Sequence, residues 1–401
     1  MPRLAKYKDC TGCMACYNSC SHNAIEIVND KEGFLQPVVK ADKCVECKLC
    51  ENSCPVMTPF EPRDTSLSVY AAWYEKDRCV SSSGGAFSAF ARMILAHNGI
   101  VVGASFDKAL HLRHIAIDSV EGLSALRGSK YVQSEIGDSF KIIRQYLNDG
   151  KKVLFCGTPC QVAGLRGFLK KDYENLLAVD LICHGVPSDS VFQNYLKKLN
   201  NRLGNNKRKE RIEKYEFRNC DGWDKTPSIV FANNKRKRYL YNVDALYLES
   251  FNRGAIFRES CSLCRYATIP RIGDVTLGDF WGIGRHGMKF NHNVMKGVSL
   301  ILVNTEKGQN ALTAIGEDMF LEERPLQEAL IENGNLKGAS KHHPQRNEII
   351  EAFLNDKMSL DDIERRYHLV DRSLKSHVKT WALKLGLFEM VKVLYIWCKS
   401  L

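Results

Sequence analysis

Residues 139–185 read SFKIIRQYLNDGKKVLFCGTPCQVAGLRGFLKKDYENLLAVDLICHG, and their periodicity decides the fold. Apolar residues at helical spacing in 139–150 give way to the apolar run KVLFCG (152–157). Helical spacing returns in QVAGLRGFLKK (161–171), followed by the apolar run LLAVDLIC (176–183). Helix, strand, helix and strand in succession predict an α/β (α+β) core with a largely parallel or mixed sheet. Upstream, SVYAAWY (68–74) and IVVGASF (100–106) read as strands around SSSGGAFSAFARMILAHNG (81–99), a serine/glycine turn opening into a helix. Downstream, 200–241 is polar and basic, which predicts an insertion or irregular hairpin; GVSLILVN (297–304) reads as a strand.

A different pattern occupies the N-terminus. Cys10, Cys13, Cys16 and Cys20 recur 34 residues on as Cys44, Cys47, Cys50 and Cys54. Between the copies, AIEIVND and FLQPVV read as short strands around a turn at Lys31 to Gly33. C-x2-C-x2-C-x3-C used twice is the spacing of a ferredoxin with two [4Fe-4S] clusters, in which the fourth cysteine of each run serves the other cluster. One cluster is therefore expected on Cys10, Cys13, Cys16 and Cys54, and the other on Cys44, Cys47, Cys50 and Cys20. A zinc ribbon is disfavoured because the extra thiols exceed what a tetrahedral ion needs. Pro55 follows Cys54, but Ser21 stands after Cys20, which removes a rigid φ and no ligand. The proline-containing stretch PVMTPFEPRDTS (55–66) is the expected domain boundary.

The chain has 401 residues, 16 cysteines, 44% hydrophobic and 26% charged residues, and a formal charge of +11. This composition excludes disordered and collagen-like classes. A chain this long needs no disulfides to hold a core. MPRLAKYKDC lacks the apolar run of a signal peptide, so a reduced, cytoplasmic protein is expected, with its thiols acting as ligands or redox groups. Basic residues concentrate at Lys207, Arg208, Lys209, Arg211 and Lys214 and at Lys235, Arg236, Lys237 and Arg238. Such runs form a solvated face or a docking site for an acidic ferredoxin. No nucleic-acid-binding signature accompanies them. Leu374, Val378, Trp381, Ala382 and Leu385, then Leu387, Phe388, Val391, Leu394, Tyr395 and Cys398, predict a basic amphipathic helical tail. It would pack on the protein or a second copy, or touch the inner membrane face.

A second set of thiols lies in CGTPCQ (Cys156, Cys160), DLICHG (Cys183) and CSLC (Cys261, Cys264). Two of them end predicted strands and Cys160 opens a predicted helix, the side of an open α/β sheet where ligands gather. Residue types alone leave buried cysteines, a zinc site and a third cluster open.

CGTPCQVAGLR, DLICHGVPS, CSLCRY, GDVTLGDFWG, SSSGGAFSAF and GSKYVQS resemble motifs of the coenzyme F420 hydrogenase/dehydrogenase beta-subunit family, and the N-terminal repeat resembles the ferredoxin extension of many members. The resemblance implies an iron-sulfur flavoprotein oxidoreductase. Residues 1–60 would be the dicluster domain, 61–68 a linker, 69–335 the FAD and [4Fe-4S] domain, and 336–401 the helical tail. It further implies a core cluster on Cys160, Cys183, Cys261 and Cys264, leaving Cys156 as a core thiol, an alternative ligand or a redox group. The two-electron carrier would be coenzyme F420 or NAD(P)H, and the one-electron partner ferredoxin or an oxidoreductase subunit. Members with this extension also occur in bacteria without F420, beside surface-polysaccharide genes, so an F420-independent paralogue or a non-catalytic relay subunit is the alternative.

The small residues Ser82, Ser83, Gly84 and Gly85 before a helix suit a phosphate, although a plain N-cap turn explains them equally. By resemblance, Lys130 stands beside the FAD as the candidate for tuning its chemistry, with Gly128, Ser129 and Tyr131 lining the same pocket. Thr158 and His184 would donate hydrogen bonds next to the cluster, an ordinary structural bond being the other reading for His184. Asp274, Asp279 and Trp281 would border the flavin or its substrate, or else form a Gly-rich turn with a core tryptophan.

Overall fold

The computed structural model describes residues 2–60, 67–204, 210–218, 226–232, 234–373, 378, 380–382 and 387, with the backbone alone at 234–236. In the N-terminal region, α1 (Ala15–Ser19) and α2 (Leu49–Ser53) flank an antiparallel hairpin of β1 (Ile25–Asn29) and β2 (Leu35–Val39). The sequence repeat is repeated in the backbone. Met14 (φ 59°) and Lys48 (φ 60°), 34 positions apart, enter these helices in the left-handed conformation, and Cys20 and Cys54 leave them extended. A side chain in that conformation costs roughly 1–2 kcal/mol, so contacts beyond the two residues themselves hold it in both loops.

The large sheet begins with β3 (Ser68–Trp73), after which α3 (Glu75–Arg78) and α4 (Ala86–Leu95) lead to the hairpin β4 (Ile100–Phe106) and β5 (Leu112–Ile117). The chain continues through α5 (Leu123–Leu126), α6 (Ser139–Asn148), β6 (Val153–Gly157), α7 (Pro159–Leu169), β7 (Leu176–Leu181) and α8 (Asp189–Leu203). These elements answer closely to the alternation read in 68–183. Within 200–241, where the sequence predicts an insertion or irregular hairpin, the described residues carry β8 (Ile212–Glu216), β9 (Ser228–Phe231) and β10 (Asn234–Tyr239), which make a three-stranded antiparallel sheet. Its inward residues Ile212, Tyr215, Ile229 and Phe231 join a core with Phe192 and Tyr195 of α8, which composition alone concealed.

After α9 (Leu246–Asn252) come β11 (Val275–Asp279), β12 (Ser299–Val303), α10 (Glu306–Ile315), β13 (Phe320–Glu323) and α11 (Leu326–Glu332). The large sheet has the order β13-β3-β12-β11-β7-β6-β4-β5. Its middle strands β4, β6, β7 and β11 are parallel, and antiparallel strands close both sides, giving a mixed α/β sheet. Ser299–Val303 is buried at every position, as a strand covered on both faces requires.

The expected tail divides. Residues of α12 (Arg346–Leu354) and α13 (Leu360–Tyr367) are core: Ile349, Phe353 and Ile363, with Leu369 just past α13, are fully buried in one cluster with residues of α8 and the small sheet. Beyond them, Trp381 is 62% exposed. Leu374, Leu385, Phe388, Val391, Leu394, Tyr395 and Cys398 lie outside the described residues, as do Lys207, Arg208, Lys209, Cys220 and most of the linker, while nothing is described of the side chains of Lys235 and Arg236. Of the basic run, Lys237 pairs with Glu216 at 3.0 Å and Lys214 pairs with the same carboxylate, as a solvated face does. Among the described residues no helix is long and apolar enough to cross a membrane.

Candidate functional site

The segment CGTPCQ folds as its local chemistry dictates. Thr158 caps α7, Pro159 takes the first helical position with its fixed φ, and Gln161 returns its side chain to the Thr158 N–H at 3.0 Å. This capping box, worth about 1 kcal/mol, puts the Cys160 thiol in the first turn at the carboxyl end of β6, and Thr158 Oγ1 lies 3.2 Å from its sulfur. Cys183 follows the end of β7 by two residues, and Cys261 and Cys264 lie on the turn before β11. Tertiary structure brings these segments together. Burial pushes the Cys183 thiol up to about 12, and neighbouring Cys261 and Cys264 push it the same way. Cys160 is raised by burial, then by Cys264, Cys183 and, from the N-terminal region, Cys13.

The N-terminal thiols fall into two neighbourhoods. Cys10, Cys13, Cys16 and Cys54 line one enclosed space whose other walls include Leu4, Ile27, Leu35 and Val56. Burial raises Cys13 to about 12, with Cys54 and Cys10 adding to the effect. Cys50 instead has Cys20 beside it, and the Cys44–Cys50 loop is more open, with Cys47 exposed. Among the described residues no three His, Cys, Asp or Glu side chains are gathered as for a single metal ion. A cubane holds its four thiolates farther apart than one tetrahedral ion does, and buried thiols with like neighbours ionise only beside a strong cation. The donor set therefore suits iron-sulfur clusters.

A cavity of about 760 Å³ opens at the carboxyl ends of β6, β7 and β11, where Cys156, Gly157, Thr158, Cys183 and Asp279 form part of its wall. Ser82, Ser83, Gly85, Gly128, Ser129, Lys130, Tyr131 and Trp281 also line it. Gly84 does not: a Cβ there would lie 2.3 Å from the Ala72 carbonyl oxygen, so this glycine allows the turn to pack on the sheet. The turn is no ordinary N-cap. Gly85, at φ 87°, precedes α4 without a side-chain cap, whereas Ser82 Oγ accepts from the Ser129 N–H at 2.9 Å and joins the two loops.

Lys130 donates to the carbonyls of Leu126, Arg127 and Gly128 at 3.0, 2.8 and 3.1 Å, so its ammonium closes the end of α5. Burial lowers it to about 8. His184 lines the cavity with both ring nitrogens engaged, by Ser340 and Asn335 on one side and the Asn252 carbonyl on the other, which is the structural-bond reading. Asp274 is removed from the cavity and belongs to the core. Its carboxylate accepts from the Ala178 N–H at 2.8 Å and from Arg166 at 3.1 Å, tying β7 to the start of β11. Cys156 belongs to the cavity wall; burial raises it to about 12, and Lys130 opposes that shift.

Several wall residues carried no sequence signal. Arg218 lies just past β8 and binds Asp279 at 2.6 Å, and its guanidinium lies 5.5 Å from the Trp281 ring. Phe251 of α9 stacks on Tyr131 at 4.4 Å. His114 projects from β5, an alternating strand like any other, and Glu332 to Asn335 arrive from the distant end of α11. Gln161 was visible within CGTPCQ, but its reach to Ser134 at 3.0 Å was not.

Residues 150–329 match the family described as the C terminus of the coenzyme F420 hydrogenase/dehydrogenase beta subunit, the family whose motifs the sequence carries. Residues 9–58 match the 4Fe-4S dicluster domain. No curated protein matches the chain. Among solved structures, a chain of the F420-reducing [NiFe] hydrogenase complex from Methanosarcina barkeri is similar with a TM-score of 0.45 and 15% identity, covering 77% of this chain and 92% of that one.

Proposed function

We propose that the chain is an iron-sulfur flavoprotein oxidoreductase that moves electrons between a two-electron carrier and a one-electron partner. FAD would occupy the cavity, a third [4Fe-4S] cluster would sit on Cys160, Cys183, Cys261 and Cys264, and residues 1–60 would relay electrons outward. The observation that carries this reading is one of succession. Cys183 lines the cavity and groups with Cys160, and Cys160 has Cys13 of the dicluster region beside it.

Bound flavin supplies hydride acceptance and the division of electron pairs. The chain supplies the surroundings. Gly128, at φ 85°, has open space where a Cβ would be and permits close approach of an anionic tail. Arg127, held by Asp77 at 2.7 Å and Ser88 at 3.0 Å, fixes positive charge on the same loop. Tyr131, stacked on Phe251, and Trp281, beside Arg218, offer flat apolar walls for a ring system and keep water from it. The donor reading is coenzyme F420 or NAD(P)H; the acceptor reading is ferredoxin or a partner oxidoreductase.

Anaerobic purification tests this directly. The expected protein carries flavin and about 12 iron atoms per chain, three clusters of four. Stopped-flow bleaching by reduced F420, NADH, NADPH and reduced ferredoxin then ranks the carriers. Zinc without iron would sink the proposal, and iron without flavin would reduce the chain to an electron relay.

A further inference from the structure

Three arginines are buried around the core thiols: Arg258 at 2% exposure, Arg271 at 3% and Arg346 at 4%. Arg271 is neutralised by Asp180 at 2.9 Å and Arg346 by Glu32 at 2.6 Å. Arg258 has no carboxylate at ion-pair distance among the described residues. Its Nε donates to the Cys10 carbonyl at 2.6 Å, Nη1 to Gln133 Oε1 at 3.1 Å and Nη2 to the Leu35 carbonyl at 3.0 Å. Neutral acceptors return only part of the hydration a buried guanidinium gives up, so an uncompensated cation here calls for an anion that the polypeptide does not provide.

Its position names the candidate anions. On one side the guanidinium packs on the first cysteine loop, where a Cβ at Gly12 would lie 2.9 Å from Nη1. On the other, the Arg258 carbonyl accepts from the Cys261 N–H at 3.0 Å, and the Arg258 N–H donates to the carbonyl of Val186, three residues beyond Cys183, at 2.8 Å. The residue thus lies between the Cys10 loop and the core thiols.

We propose that Arg258 is the shared counter-charge of two iron-sulfur clusters, one on Cys10, Cys13, Cys16 and Cys54 and one on Cys160, Cys183, Cys261 and Cys264, and that it raises the reduction potential of both. The inference rests on the cluster assignment of the proposed function. A cubane with four thiolates is anionic, and each one-electron reduction adds one further negative charge, taken from the titrant. A fixed cation in a low-dielectric setting stabilises the reduced form more than the oxidised one. Arg258 acts as a positioning and charge-supplying residue and exchanges no electrons itself.

The test uses the full chain, purified anaerobically, with iron analysis and redox titration followed by electron paramagnetic resonance. Arg258→Met should keep full iron and lower both potentials, each by a tenfold weaker one-electron equilibrium or more, about 59 mV. Gln133→Glu keeps side-chain volume and places a carboxylate on the guanidinium, so both potentials should fall again. Arg258→Lys retains the charge and should stay nearer the wild type. Full iron with both potentials unmoved in Arg258→Met and Gln133→Glu overturns the proposal and leaves the cluster assignment standing. A shift in one cluster alone overturns the sharing. A wild-type chain with about eight iron atoms defeats the assignment itself, and the shared role with it. Should Arg258→Met not fold, Gln133→Glu decides.

Discussion

Gly164 of α7 touches Cys13 of the first cysteine loop: a Cβ built at Gly164 would lie 3.0 Å from both Cβ and Sγ of Cys13. A glycine inside a helix costs roughly 1 kcal/mol relative to alanine, so its presence there marks a close approach that outweighs propensity. The same helix carries Cys160 one turn earlier, so the contact sets the spacing of the two thiol groups.

Gly164→Val should force the dicluster region away from α7. Iron content should stay complete, while electron passage from core to N-terminal clusters slows by tenfold or more, read by freeze-quench spectroscopy of the reduced chain. Gly164→Ala, whose methyl needs a shift of a few tenths of an ångström, should show a much smaller effect. Equal rates in Gly164→Val and the wild type would remove this junction from the electron path.

Replacing thiols one at a time separates ligands from wall residues. Cys264→Ala should cost about four iron atoms per chain, one cluster's complement. Cys156→Ser should retain all of them, since burial, Asp180 and Lys130 act on this thiol and, among the described residues, no other cysteine does. Iron loss in Cys156→Ser would make it a ligand.

His114 gives the fold a pH dependence. Burial, helped by the Lys130 charge, lowers its pKa from 6.5 to about 4, while its Nε2 lies 3.2 Å from the Cys156 carbonyl oxygen. The unfolded chain therefore binds this proton first as pH falls. Stability is fully present above pH 6.5 and declines from there to about 4, by about 3 kcal/mol in all. His114→Phe, which can keep the stacking on Phe155, should lose this part of the dependence. Urea unfolding of both proteins at pH 7 and pH 5 checks the difference.

Asp180 and Arg271 are wholly buried partners at 2.9 Å, and the Gly273 N–H also donates to Asp180 at 2.8 Å. Asp180→Asn leaves the guanidinium unpaired and should destabilise the fold by about 3–5 kcal/mol. Asp180→Leu combined with Arg271→Met should recover a substantial part of that loss in thermal unfolding. A double variant as unstable as the single one would show that hydrogen bonding, not charge, is at stake.

Local chemistry made much of this legible. The capping box of CGTPCQ, the apolar run LILV of the strand SLILV and the 34-residue cysteine repeat are short-range patterns, and their structures follow from propensity, hydrogen bonding and period. Arg258, Gln133 and Arg218 gave no such sign, because a buried polar residue is distinguished by its partners, which lie far away in sequence: Arg258 reaches Cys10 across 248 positions. Asp274 illustrates the converse, a carboxylate in a suggestive Gly-rich motif that turns inward to hold two strands together.

By itself the sequence determined which thiols exist, their loop spacing, the strand and helix periods, and the family resemblance carried by motifs between Val69 and Gly308 and by the N-terminal cysteine repeat. Only the tertiary structure decided which thiols meet, that Cys156 faces the cavity while Cys160 has Cys264 and Cys183 as neighbours, and that the Arg258 guanidinium packs on the Cys10 loop. The reason is one of range: backbone hydrogen bonding acts over a few residues, whereas convergence of charges and sulfurs is set by how the sheet and helices pack.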